Sequence, residues 1–332
     1  MTRPTLLRPT LVPGLRRLWR DRHTIQFGLD PARAVVLELA EPAVAQVLDR
    51  LDGRHAERGV IAYAARHGIA EADVRALLDT LSEAGLLVPA HTILPSTVPE
   101  PARHRLIAEA AAIALRRGDA PGTPAQLLRR RGAARVVLSG GGRLAAPMAT
   151  ALAEAGVGHV SPVPPGRIPE AVRRVAPDTT TRPVRRGEPS FVVHLGMDGP
   201  ANLIAAGHAR RRRPHLLIAV RDDTVVVGPL VPPAGSPCLN CLDLHRRDRD
   251  PAWPALAAQL AAADLEPVSA PTVLAAAGFA AAEVLSYLDG GVPDTLGATM
   301  EISAPGRSRR RSWPPHPGCD CTRRRSRRRR SG

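Results

Sequence analysis

Four cysteines carry the most specific chemistry in this chain. They stand in two tight pairs far apart in sequence, Cys238-Leu-Asn-Cys241 and Cys319-Asp-Cys321. In a reducing compartment, clustered cysteines are metal ligands more often than disulfides. Four thiolates at about 2.3 Å suit tetrahedral zinc, and two distant pairs would staple the C-terminal segment to the body of the domain. The first pair has the spacing of a zinc knuckle, the second is tighter, and His316 is the alternative fourth ligand. Two closed pairs leave no open coordination position, so the expected zinc is structural.

The second stretch with chemical potential runs over 135–163. Val136-Val137-Leu138 predicts a buried strand, and Gly140, Gly141 and Gly142 predict a tight turn. Leu144, Met148, Leu152 and Ala155 then recur at helical spacing, and Val157 and Val160 open a second strand. Strand, glycine turn, helix and strand within about 30 residues form a βαβ nucleotide-binding unit. Without Cβ atoms the turn lets a phosphate or carboxylate approach the free N–H groups of the helix. Ala145 stands where a third glycine would be, and Ser161-Pro162-Val163 ends the second strand without a ribose-binding acid.

Several elements must position these groups. Strands are predicted over 190–195, 215–220 and 224–228, with a helix over 201–209 and a long Ala-rich helix through Phe279, Glu283 and Leu285. This alternation predicts an α/β fold: a Rossmann-like, mainly parallel sheet with helices on both faces. Before it, strand-like segments at 24–29 and 34–39 precede amphipathic helices at 42–51, 56–66 and 70–84, and 86–88 returns as a strand. A hairpin with three short helices is a small α+β, winged-helix-like domain. Its third helix carries Glu71, Asp73, Asp79 and Glu83 against Arg75 alone, which disfavours DNA. A hairpin edge can instead accept an extended peptide.

The expected domains are 1–90 for peptide binding, 91–132 as a linker with one helix, 133–321 as the Rossmann-like domain with the zinc staple, and 322–332 as a disordered Arg-rich tail. Within the linker region, 91–100 is read as a Pro-rich linker, 103–117 as an Ala-rich helix and 119–132 as a second linker.

Composition narrows the class. The chain has 332 residues, 44% of them hydrophobic but only 2% aromatic, so helix packing should be close and lined with alanine. All 46 basic residues are arginine, which excludes any mechanism that needs a lysine. Of the formal charge of +15, about +10 lies from residue 302 onward, where it would contact nucleic acid only non-specifically. No secretory signal or membrane span is read, and a cytoplasmic protein is expected. His194 is read as a core histidine, and Trp253, Tyr287 and Trp313 as packing residues. A helix over 250–264 is a candidate homodimer face.

The ordered motifs resemble the ThiF-like adenylyltransferases, relatives of ubiquitin-activating enzymes. The resemblance covers 135–321 and rests on the glycine turn, the strand before Asp198, Pro237-Cys238-Leu-Asn-Cys241, the Ala-rich helix and His316-Pro-Gly-Cys319-Asp-Cys321. The N-terminal pattern resembles the PqqD-like leader-peptide-binding module. The family uses ATP and magnesium to adenylate a C-terminal carboxylate. The resemblance places Gly140, Gly141 and Gly142 at the cofactor, Asp198 on magnesium, and Cys238, Cys241, Cys319 and Cys321 on zinc. It implies a peptide or small-protein substrate and a peptide-modifying enzyme as partner. The family's lysine, third glycine and ribose acid are missing. Two alternatives stay open: an active ATP-dependent adenylyltransferase, and a nucleic-acid binder built on the winged helix and zinc.

Overall fold

The computed structural model describes residues 6–116, 121–184, 188–197, 199–233, 235, 237–260 and 266–321. It divides into two compact units, 1–118 with 122–129 and 119–121 with 130–332.

The first unit begins with strands β1 (Pro9–Leu11), β2 (Arg17–Trp19), β3 (Thr24–Phe27) and β4 (Val35–Glu38). A 3-10 helix (Pro42–Arg50), helices α1 (Glu57–Arg66) and α2 (Glu71–Glu83), strand β5 (Leu87–Pro89) and helix α3 (Glu100–Leu115) follow. β2, β3 and β4 make an antiparallel sheet with β3 central, and β1 pairs with β5. The period-2 pattern of β3 sends Ile25 and Phe27 inward, against Val74, Leu77, Leu78 and Leu81 from the i, i+3, i+4, i+7 stripe of α2. Strands β1 and β2 were not expected; three-residue strands are too short to show a period. The segment read as a second linker carries helix α4 (Pro124–Ala133). Its start is fixed by a reciprocal cap, in which Thr123 N donates to Gln126 Oε1 at 2.8 Å and Gln126 N donates to Thr123 Oγ1 at 3.3 Å.

The second unit contains β6 (Arg135–Gly140), α5 (Ala145–Glu154), β7 (His159–Val163), α6 (Ile168–Val175), β8 (Phe191–Leu195), α7 (Ala201–Arg211), β9 (His215–Arg221) and β10 (Thr224–Val231). It continues with α8 (Leu239–Arg249), α9 (Trp253–Leu260), α10 (Ala270–Asp289), β11 (Ala298–Ala304) and β12 (Arg307–Ser312). They build a seven-stranded sheet of order β12-β11-β10-β9-β8-β6-β7. β7, β6, β8 and β9 are parallel neighbours, while β10, β11 and β12 are added antiparallel, so five of the seven strands share one direction. Alternation along β9 loads both faces. Leu216 and Ile218 join the core under α5, α6 and α10, and Leu217 joins that under α7 and α8.

The β11–β12 hairpin was not anticipated. Its arginines at 307 and 309–311 were counted with the basic tail, but β12 is an edge strand held by backbone pairing to β11. A strand that buries almost nothing leaves no hydropathy signal. The proposed tail at 322–332 lies outside the described residues.

Helix α10 is long and apolar enough to cross a membrane, yet Val273, Ala276, Ala277, Ala280 and Val284 pack into the sheet core. Its acid, Glu283, is buried and accepts hydrogen bonds from Asp294 N at 3.1 Å, from Thr295 N at 2.7 Å and from the Thr295 hydroxyl.

Candidate functional site

The metal-ligand candidates converge. Cys238 is the N-cap of α8, Cys241 lies in its first turn, and the segment after β12 returns Cys319 and Cys321 beside them. Sγ–Sγ separations are 3.9 Å for Cys238–Cys241, 3.6 Å for Cys238–Cys319 and 3.2 Å for Cys241–Cys321, and all four sulfurs lie within 4.8 Å of one another. Tetrahedral bonds of about 2.3 Å separate sulfurs by roughly 3.8 Å, so the group could hold a metal ion. The neighbouring Cys241 and Cys321 sulfurs, with burial added, push the Cys238 thiol well above its usual range. A bound cation reverses that penalty by holding the thiolates.

Polar groups around the sulfurs are engaged as well. Asn240 Nδ2 donates to Cys319 Sγ at 3.3 Å. His316 is committed elsewhere: its Nδ1 accepts from Gly318 N at 3.0 Å, and its Nε2 lies 2.8 Å from Asp248 Oδ2. His245, with Nε2 2.9 Å from Pro314 O, completes a latch between α8 and the returning segment.

At the glycine turn the three glycines differ. Gly140, the last residue of β6, has φ 106°, and a Cβ there would stand 2.2 Å from Leu195 O, so its role is close strand packing. Gly141 opens onto empty space. Gly142 has φ 83°, and a Cβ would meet Glu266 Oε2 at 3.0 Å and Oε1 at 3.1 Å. Arg143 N donates to Glu266 Oε2 at 3.4 Å, and the Arg143 guanidinium donates to Val268 O. The chain's own carboxylate is therefore seated where the turn would receive an anion. The methyl group of Ala145 is buried in the sheet core. Asp198 lies outside the described residues.

His194 belongs to a cluster that the sequence did not announce. Its Nε2 is 2.7 Å from His208 Nε2, and His208 stacks on His215 with centroids 4.1 Å apart. Burial first, then the nearby His215 and His194, lowers His208 to about 3; burial lowers His215 to about 4. Trp253 is likewise engaged, donating from Nε1 to Asp243 Oδ1 at 2.7 Å while the Arg246 guanidinium lies 5.0 Å from its ring centre. Trp313 is buried and donates from Nε1 to Thr299 Oγ1 at 3.1 Å, and Tyr287 packs 5.3 Å from Phe191. Glu266, His208, Arg221 and Arg246 carry no local sequence motif; each acquires its meaning from another element.

No family model matches the chain, and no curated protein matches it. Solved structures do. Escherichia coli MccB with MccA-N7isoASN superposes at a TM-score of 0.65 and 15% identity, covering 95% of this chain and 99% of that one. The fold is that of MccB. The Microcin C7 biosynthetic enzyme MccB, solved with N-formylated MccA, shares this fold at a TM-score of 0.63 and 14% identity. MccB solved with ATP matches at a TM-score of 0.64 and 15% identity over the same shares. A heterocyclase in complex with substrate and cofactor matches at 0.61 and 14% identity, over 93% of this chain and 38% of that one.

Proposed function

We propose that this protein captures a peptide on its first unit and presents it to a second unit whose adenylation site is degenerate, as a partner of a peptide-modifying enzyme. One observation carries this: the likeness to MccB spans 95% of this chain and 99% of that one, so both units belong to the shared architecture. MccB was solved with the peptide MccA, and the heterocyclase with its substrate. The sheet of the first unit supports capture, because β2 and β4 are its edge strands and β2 presents Trp19 at 52% exposure.

Degeneracy is supported by Glu266 at Gly142, by Ala145, and by the lack of any lysine. Arginine does not reproduce a lysine's compact charge. Cys238, Cys241, Cys319 and Cys321 are assigned to structural zinc. It fixes the returning segment on α8 and supplies no reaction step.

The test is calorimetric binding of a panel of synthetic leader peptides to the full chain, with Trp19→Ala as the paired variant. Capture that weakens about tenfold in the variant supports the reading. Absence of any binding across the panel defeats it. The active-enzyme reading retains Asp198 as a magnesium ligand and predicts peptide-dependent exchange of pyrophosphate into ATP.

A further inference from the structure

Helix α8 carries a second pair of ligand-type side chains beyond its cysteines. Cys238 and Cys241 are followed seven residues later by His245 and Asp248, at the same i, i+3 spacing. Seven residues are nearly two turns, a drift of only about 20°, so both pairs look out from one face of the helix, roughly 10 Å apart along its axis. The segment after β12 runs back along that face. It brings Cys319 and Cys321 to the first pair and His316 to the second.

The three side chains converge. His316 Nε2 lies 2.8 Å from Asp248 Oδ2, and the His245 and His316 rings meet edge to face with centroids 4.8 Å apart. One ligand atom from each residue falls within 4.8 Å of the others. Bonds of about 2.0–2.1 Å at right angles separate neighbouring ligand atoms by roughly 2.9 Å, close to the 2.8 Å found here.

The hydrogen bonds say what each ring can offer. His245 Nε2 is 2.9 Å from Pro314 O, so its N–H goes to a backbone carbonyl and Nδ1 keeps its lone pair. Such an outer bond is what orients a metal-binding imidazole. His316 is held the other way: Gly318 N donates to Nδ1 at 3.0 Å, which leaves the ring proton on Nε2, shared with Asp248. A cation between Nε2 and the carboxylate takes the place of that proton, which passes to Nδ1. The Gly318 hydrogen bond is then given up, at about a tenfold cost in affinity. Glycine at 318 leaves room for the adjustment, since a Cβ there would stand 3.2 Å from His316 Nδ1.

Two imidazoles and one carboxylate suit divalent first-row metals, which keep further positions for water. The Asp248 side chain is 65% exposed, so those positions face solvent. The nearby Arg246 and Arg249 lie over the rings of Trp253 and Trp313, 5.0 and 5.2 Å from their centres.

We propose that His245, Asp248 and His316 form a second metal site, open to solvent and separate from the four thiols, for a divalent transition ion such as nickel or zinc. It does not depend on peptide capture.

The experiment titrates the untagged, zinc-loaded full chain with nickel by calorimetry, and counts both metals after dialysis. Imidazole suits nickel, whereas a tetrahedral set of thiolates selects zinc. One nickel per chain is expected beside one zinc. His245→Gln, Asp248→Asn and His316→Gln should each weaken nickel binding at least about tenfold and keep the zinc. His104→Gln, exposed on α3, should change neither. Asp248→Asn preserves an acceptor for His316, so a merely structural latch survives it; lost nickel there, with zinc and Tm unchanged, separates ligation from packing. Absence of a nickel equivalent, nickel that only replaces zinc, or affinity indifferent to all three substitutions overturns the proposal. Should His316→Gln shed zinc, the two variants on α8 decide.

Discussion

The Glu266 carboxylate lies against Gly142, with a would-be Cβ only 3.0 Å from Oε2, and Arg143 holds the same segment from its backbone and its side chain. An anion of the chain thus competes with any anion that approaches the turn. Glu266→Gln is expected to raise affinity for magnesium–ATP about tenfold or more, since one unit charge at contact distance contributes roughly 1–4 kcal/mol. Glu170→Gln, which removes an exposed acid paired with Arg174, serves as the charge control. Calorimetry showing equal affinities for wild type and Glu266→Gln would remove Glu266 from the account of the turn.

Metal content gives a second prediction. The purified chain should carry one zinc, and Cys319→Ser should lose it together with several degrees of Tm, because binding energy at such a site is folding energy. Metal analysis beside a thermal melt decides this. Full zinc content in Cys319→Ser would point to a different ligand set.

Acid should destabilise the second unit through its histidines. His208 at about 3 and His215 at about 4 sit below their usual 6.5, so the unfolded chain gains protons first as pH falls. Stability is complete above pH 6.5, begins to fall there, and is lost progressively down to about 4 and 3. The slope reaches about 1.4 kcal/mol per pH unit for each ring. Urea titrations between pH 7 and 5 should show it, and His208→Leu should flatten it. A pH-independent midpoint would exclude the neutral buried cluster.

Arg131 and Asp289 form a buried bidentate pair, at 2.9 Å for Nε–Oδ1 and 2.6 Å for Nη2–Oδ2, joining the approach to β6 with the end of α10. Asp289→Ala strands the guanidinium and should cost about 3–5 kcal/mol in urea denaturation. Replacing both residues by Met and Leu should cost much less. Equal losses would mean that packing, not charge, decides the site.

Much of this was legible locally. The period of 3.6 in α2 and the alternation in β3 marked the first unit, because each buries one face. The βαβ run and the long α10 were legible for the same reason, and the two cysteine pairs declared their chemistry by type and spacing. Helix α4 had a signal in Thr123 and Gln126, but a run of arginines masked it. β12 had none, since an edge strand is held by backbone hydrogen bonds that any side chain permits.

The sequence by itself determined the classes of element, the glycine turn, the absence of lysine and the identity of four metal-ligand candidates. These follow from local sterics, hydrophobic periodicity and residue chemistry. Only the tertiary structure decided that Cys238 and Cys319 lie 3.6 Å apart, that Glu266 covers Gly142, and that Arg221 and Arg246 share Trp253. Those relationships join residues on different elements, and sheet order and register, not sequence spacing, set such distances.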